Sequence, residues 1–157
     1  MSPASARSVS ESSFPPPAAT PEQVASLRAD LADSGWGVEA VAALLGEAAD
    51  AALRREIRLP ALRAVRAALA AGAAPSPVAV LTALFMLGEP VPATALNAAL
   101  PRTTAAGAVT IGLVGEPDET GCVRALVDLR PHEAIDDAGE VRWWVASDLG
   151  ELVTGRA

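Results

Sequence analysis

From residue 20 onward the chain carries apolar residues three and four apart in short stretches separated by small-residue breaks. This is a helical rhythm, and near residue 122 it gives way to a period of two. Thr20 is placed to cap a first helix, Pro21 suits its first position, and Gln23 completes a Thr-x-x-Gln capping box. Val24, Leu27 and Leu31 then form one apolar stripe, and the helix is expected to stop near Ser34 and Gly35. A second short helix starts at about Val38, with Val41, Leu44 and Leu45 inward and Gly46 as punctuation. Residues 48–57 and 60–71 read as two more helices rich in Ala and Arg. Pro60 opens the later one, and Leu59, Leu62, Val65, Ala68 and Leu69 make its expected buried stripe.

After a break at 72–75, Ser76 and Pro77 repeat the cap and first-turn pairing. Residues 78–87 are nearly all apolar, which places this helix at the domain centre, and Gly88-Glu89-Pro90 ends it. Residues 93–100 form a short helix after Pro92, closed by Pro101, and residues 104–113 a third, weakened by Gly107 and Gly112. The period of two begins in residues 123–130, where Val123, Ala125, Val127 and Leu129 share a face. Residues 141–147 make a second strand, and the polar stretch 131–140 between them reads as a long hairpin loop. The fold class that follows is mostly α (α+β). Residues 1–20 are a disordered Ser/Pro/Ala tail and 21–73 a helical layer. Residues 74–150 form a winged-helix-like module packed with that layer as one domain, with a three-helix core over 76–113 and a two-stranded β-hairpin wing over 122–148.

Composition narrows the function classes. The 157 residues are 51% hydrophobic, enough for a sizeable core. Nineteen acids against twelve bases, all of them Arg, give a net charge of −7, which argues against sequence-independent nucleic-acid binding. A single Cys fits a reducing compartment, and one Cys with one His does not furnish a structural zinc site. No apolar run approaches the about 18 residues of a membrane span, and the N-terminus lacks the apolar region of a secretory signal. The expectation is a soluble, cytoplasmic protein with no membrane partner.

No catalytic set emerges from the residues themselves. His132 lies in the expected loop beside Pro131 and Glu133, and Cys122 opens a strand, so the first reads as a surface imidazole and the second as packing. The glycines of residues 111–116 match neither the phosphate-binding loop nor the dinucleotide fingerprint. Asp136-Asp137 and Glu116, Asp118 and Glu119 read as solvated loop acids, short of a calcium-loop ligand set. Arg54, Arg55, Arg58, Arg63 and Arg66 cluster, but residues 21–73 hold seven acids and six bases, so no broad positive field follows. Trp143 and Trp144 are adjacent in a strand and therefore point to opposite faces. One can fill the core while the other anchors a partner, or both can be covered.

The segment LVDLRPHEAIDDAGEVRWWVASDLGELVTG, residues 126–155, carries a family resemblance together with LRADL at 27–31 and LFMLGEPVP at 84–92. It resembles the N-terminal domain of actinobacterial class I S-adenosylmethionine (SAM)-dependent methyltransferases, relatives of the glutamine N5-methyltransferases that act on peptide release factors. The resemblance spans about residues 22–155 and is most specific at Asp128 to Pro131 and Trp143 to Glu151. It implies that a Rossmann-like catalytic domain follows, with residues 151–157 the start of the linker to it. The glycine-rich SAM loop and the Asn-Pro-Pro-Tyr motif of that family are not found here, so no catalytic, cofactor-binding or metal-binding residue carries over. What it implies is an accessory, substrate-presenting or scaffold role without a cofactor in this chain, SAM belonging to the full-length family. The partners are then a methyltransferase catalytic domain, in cis or in trans, and a protein or RNA substrate. Asp128, Arg130, Trp143, Trp144 and Asp148 are the candidate contact residues. Rival readings are a winged-helix DNA-binding regulator and a stand-alone interaction module dimerising through the wing. DNA binding is disfavoured because residues 104–113 carry no basic side chain.

Overall fold

The computed structural model describes residues 16–72 and 74–149. The tail expected over 1–20 lies outside that range up to residue 15, with 16–20 in no regular element, and the expected linker 151–157 lies wholly outside it. The architecture is mixed α+β and winged-helix-like, in line with the sequence pattern. A helical layer comprises α1 (Pro21–Ser34), α2 (Val38–Leu45), α3 (Glu47–Arg54) and α4 (Leu59–Ala70). Next come α5 (Pro77–Leu81), β1 (Val91–Pro92), α6 (Ala93–Ala99) and α7 (Thr104–Ile111), followed by β2 (Cys122–Val123), β3 (Asp128–Asp136) and β4 (Gly139–Ser147).

The helix starts follow their local chemistry. At α1 both halves of the capping box form: the Gln23 N–H donates to Thr20 Oγ1 (3.1 Å), and the Thr20 N–H donates to Gln23 Oε1 (2.8 Å). Gly35, at φ +77°, ends α1 in the left-handed conformation that glycine adopts without steric cost. The apolar run after Ser76 is the centre of the molecule, as its composition predicts. Residues 81–87 are all buried, and α5 with its continuation meets α2, α4 and α6. That continuation is unusual. Over Thr82–Met86 the helix widens into a π-helical turn, with the Leu87 N–H donating to the Thr82 carbonyl (3.1 Å) and the Glu89 N–H to that of Ala83 (2.8 Å). The Arg58 guanidinium donates to the Leu87 carbonyl and so closes the end of this turn from α4.

Two positions of the expected stripes are exposed, the rest being buried or partly buried. Val24 and Leu59 are exposed, whereas Leu31 and Val65 are in the core. Both exceptions lie at the first turn of a helix, where the chain enters from the surface.

The β structure departs from the expected strand boundaries. Val123, Ala125, Val127 and Leu129 are all buried, so the period of two marks an extended, one-faced segment correctly. That segment is not one strand. Val123 pairs with Val91, Ala125 bridges to Val114, and Leu129 pairs with Ala146. The chain changes partner as it crosses the end of the three-helix core, and alternation reports burial without reporting the neighbour. The stretch 131–140 is no long loop either. β3 continues to Asp136 and turns through Asp137 and Ala138 into Gly139, at φ +122°. Pro131 does not stop β3 because a two-stranded sheet consists of edge strands, where a missing N–H is tolerated.

Candidate docking surface

The register of β3 against β4 assigns the side chains of the hairpin to two faces. Leu129, Pro131 and Glu133 pair with Ala146, Trp144 and Arg142 on the inner face. Asp128, Arg130, His132 and Ala134 pair with Ser147, Val145, Trp143 and Val141 on the outer one. The inner face is tied to the helical layer. Trp144 is half-buried, and its indole N–H donates to the Trp36 carbonyl (3.0 Å), in the turn between α1 and α2. Leu129, beside it, is 4% exposed.

On the outer face, the β4 row from Val141 to Val145 is apolar and open. Val141, Trp143 and Val145 stand at 43%, 40% and 40% exposure, two residues apart along β4. Large apolar side chains aligned on one face of a strand form a contiguous patch rather than scattered exposure. The His132 ring stacks on Trp143, with centroids 5.9 Å apart and planes 15° off parallel. Ile135, at the hairpin tip, is 85% exposed.

The five sequence-predicted contact residues are thereby sorted. Asp128 and Arg130 form an ion pair, Nε to Oδ1 at 2.7 Å, with the carboxylate buried and the guanidinium half-exposed. Arg130, opposite Val145, belongs to the open face with Trp143. Trp144 takes the inner face, so one tryptophan of the pair is engaged and the other presented. Asp148 is exposed just past the end of β4. Sequence reasoning did not single out Trp36, although it receives the hairpin. A Gly-Trp-Gly turn carries no periodicity from which its burial could be read.

Acidic residues converge in two places. Carboxylate oxygens of Glu39, Glu133 and Glu140 lie within 4.8 Å of one another. The Arg142 guanidinium reaches two of them, Glu140 at 3.2 Å and Glu133 at 3.8 Å, which supplies the countercharge from the same hairpin. In the loop before β2, the Asp118 carboxylate accepts from the Thr120 N–H (2.9 Å), the Thr120 hydroxyl (2.6 Å) and the Cys122 N–H (3.0 Å). The Thr120 hydroxyl foremost, then the backbone donors, holds its pKa below the ordinary aspartate value. The folded value is the lower one, so the loop's stabilisation is full above the ordinary aspartate value and is lost as pH falls through the folded one. A carboxyl-detected NMR titration is expected to place the Asp118 midpoint below the ordinary aspartate value. Asp118→Asn should remove this low transition and loosen the amide of Cys122.

Three arginines of the cluster around α3 and α4 are engaged within the chain, although only Arg58 among the five is partly buried. Arg54 pairs with Asp50 (2.9 Å), Arg66 with Glu89 (2.9 Å), and Arg58 serves the π-helical turn. The outward positions of α7 include Ala106 and Thr110, and α7 has no basic residue. Arg102, which precedes it, is engaged by Asp30 (3.0 Å) and Asp33 (2.9 Å). The Asp33 hydrogen bond and then that of Asp30 raise its pKa further, so it stays charged. Among the described residues, no helix is long and apolar enough to cross a membrane.

The family model described as Domain of unknown function (DUF7059) matches residues 33–126, more than half of the chain. The match ends where the β1–β2 unit closes, with the Leu126 N–H donating to the Leu113 carbonyl (2.8 Å), so the β3–β4 hairpin lies beyond it. No curated protein and no solved structure matches the chain.

Proposed function

We propose, from the premise that the chain belongs to the DUF7059 family, that it is an accessory docking module that presents the outer face of its β3–β4 hairpin to a partner. The observation that carries this reading is the open row of Val141, Trp143 and Val145, with Arg130 and His132 across from it. An exposed tryptophan flanked by β-branched residues and an arginine has the composition of an interface anchor. The hairpin's inner face is fixed by Trp144 and Leu129, so the outer face is held rigid before a partner arrives, which lowers the entropic cost of association. The resemblance of residues 126–155 to methyltransferase N-terminal domains supplies the partner's identity in this proposal: a SAM-dependent methyltransferase domain, in cis or in trans, whose substrate the module helps to present. SAM itself would be bound by that domain. α7, without a basic side chain, offers nothing to base edges, which weighs against DNA binding.

The test is calorimetry of the chain against a class I methyltransferase domain supplied in trans. Micromolar binding is expected, and Trp143→Ser should weaken it at least about tenfold, equivalent to about 1.4 kcal/mol. The same substitution should lower the unfolding midpoint only modestly, since Trp143 is 40% exposed and loses chiefly its stack with His132. Absence of binding to such a domain, or micromolar binding of SAM by this chain alone, would sink the proposal.

A further inference from the structure

The hairpin has two edges as well as two faces. In a two-stranded sheet each strand pairs on one side only, so alternate N–H and C=O groups of β3 and β4 point away from the ladder. The two edges are not equivalent. β3 packs on α2 and the π-helical turn, and it carries Pro131, which blunts an edge because it has no N–H to donate. β4 has no proline and is exposed at every residue except Trp144. Among the described residues, no backbone hydrogen bond joins β4 to anything but β3. Its centre, Val141 to Val145, is rich in the β-branched and aromatic residues that favour strands. An edge of this kind is a template for a further strand.

The residues of β4 fit a second copy of themselves. Its charged residues are one acid and one base, Glu140 and Arg142, so the strand is neutral in a chain of net charge −7. Two such edges meet without the repulsion that the chain as a whole carries. Antiparallel self-pairing centred on Trp143 overlaps the whole of β4, because Gly139 and Ser147 are equidistant from that centre. In this register Val141 faces Val145 of the second copy, and Trp143 faces its own counterpart. Aromatic and β-branched pairs of this kind are the favourable cross-strand combinations. On the inner face Arg142 meets Trp144 and Glu140 meets Ala146, so no like charges are opposed. Registers centred on Glu140 or Arg142 would oppose like charges and shorten the overlap.

We propose that the chain forms a twofold-symmetric dimer in which β4 pairs with β4 of a second copy, joining two two-stranded sheets into one in the order β3, β4, β4, β3. The twofold axis stands perpendicular to the sheet at Trp143, so the outer faces of both hairpins lie on the same side. The two rows of Val141, Trp143 and Val145 then join into one apolar surface. The dimer uses the strand edge and leaves that surface open, so it goes beyond the docking role and does not depend on it.

Sedimentation equilibrium of the full chain over a concentration series reads the mass. A rise from 15.9 kDa toward twice that value is expected as the concentration passes about 100 µM, since one strand edge is a small interface. Amide hydrogen exchange locates the contact: alternate amides of β4 should gain at least about tenfold protection in the dimer, and those of β3 should not change. Val141→Lys combined with Val145→Lys sets like charges opposite each other at both ends of the pairing and should leave a monomer. Val141→Lys combined with Val145→Glu sets opposite charges there and should dimerise. Both positions are exposed, so both double variants keep the fold. A wild-type chain that stays monomeric up to about 1 mM overturns the proposal and leaves the β4 edge to solvent or to a strand of a different protein. So does a dimer whose β4 amides exchange as in the monomer, or equal masses for the two double variants.

Discussion

Replacing Trp36 with alanine is expected to cost about 3–5 kcal/mol of folding stability, the range for deleting a large aromatic from a close-packed core. Trp36 is 1% exposed and is among the largest fully buried side chains. Its ring meets Phe85 with centroids 6.2 Å apart, and its indole N–H donates to Thr82 Oγ1 at 3.1 Å. Both partners belong to the π-helical turn, so the substitution opens a void beside the most buried segment and removes a donor from a buried hydroxyl. Against a typical total of about 5–15 kcal/mol, a loss of this size leaves a visible unfolded fraction at modest urea concentrations. Trp36→Phe separates the two contributions, because it keeps most of the volume and deletes only the N–H. Its expected cost is about 1–2 kcal/mol. The backbone acceptor for Trp144 survives in both variants, so the hairpin should remain docked in the phenylalanine variant. Urea unfolding followed by far-UV circular dichroism decides the matter. A loss of under about 1 kcal/mol for Trp36→Ala would mean that the core repacks around the gap and that the junction is not rigid.

What could be read from the sequence, and what could not, divides along a physical line. Caps and apolar periodicity act within a few residues, and they placed α1 and the central helix after Ser76 close to where they lie. The alternation at 123–129 correctly marked which residues are buried. Strand partners are set by contacts distant in sequence, and there the local pattern was silent. Nothing local says that Val123 pairs with Val91 while Leu129 pairs with Ala146. The polar appearance of residues 131–136 has the same origin. A hairpin that projects beyond the core exposes most of its side chains, so β3 past Leu129 has little apolar signal to give. The adjacency of Trp143 and Trp144 did foretell a two-faced strand, but which face is open follows only from register. Trp36, Thr82 and Asp30 were invisible for a further reason. Each works through a buried polar contact to a residue more than 40 positions away.

Asp30 carries the second large expected effect. Its side chain is fully buried, yet it sits on α1, whose partners in the stripe are leucines. Its carboxylate accepts the backbone N–H groups of Arg102 (3.1 Å) and Thr103 (2.7 Å), together with Arg102 Nη1 (3.0 Å). These donors lie at the entrance to α7, where Thr104, a β-branched residue, is held at φ +64°. A carboxylate at this point accepts amides that have no partner within the helix and faces the positive end of the helix dipole. It thereby fixes a turn that a β-branched residue would not otherwise favour. Asp30→Ala should destabilise the chain by about 2–4 kcal/mol, chiefly through backbone donors left without an acceptor in the interior. Asp30→Asn retains one oxygen of similar reach and should lose about half as much. Asp33→Ala is the control, since it also contacts Arg102 but from a solvent-exposed position, and it should leave stability nearly unchanged. Hydrogen exchange at the amides of Arg102 and Thr103 gives the local readout. Both should lose protection in Asp30→Ala and keep it in Asp33→Ala; equal behaviour of the two variants would transfer the role of clamp from the buried carboxylate to the surface ion pair.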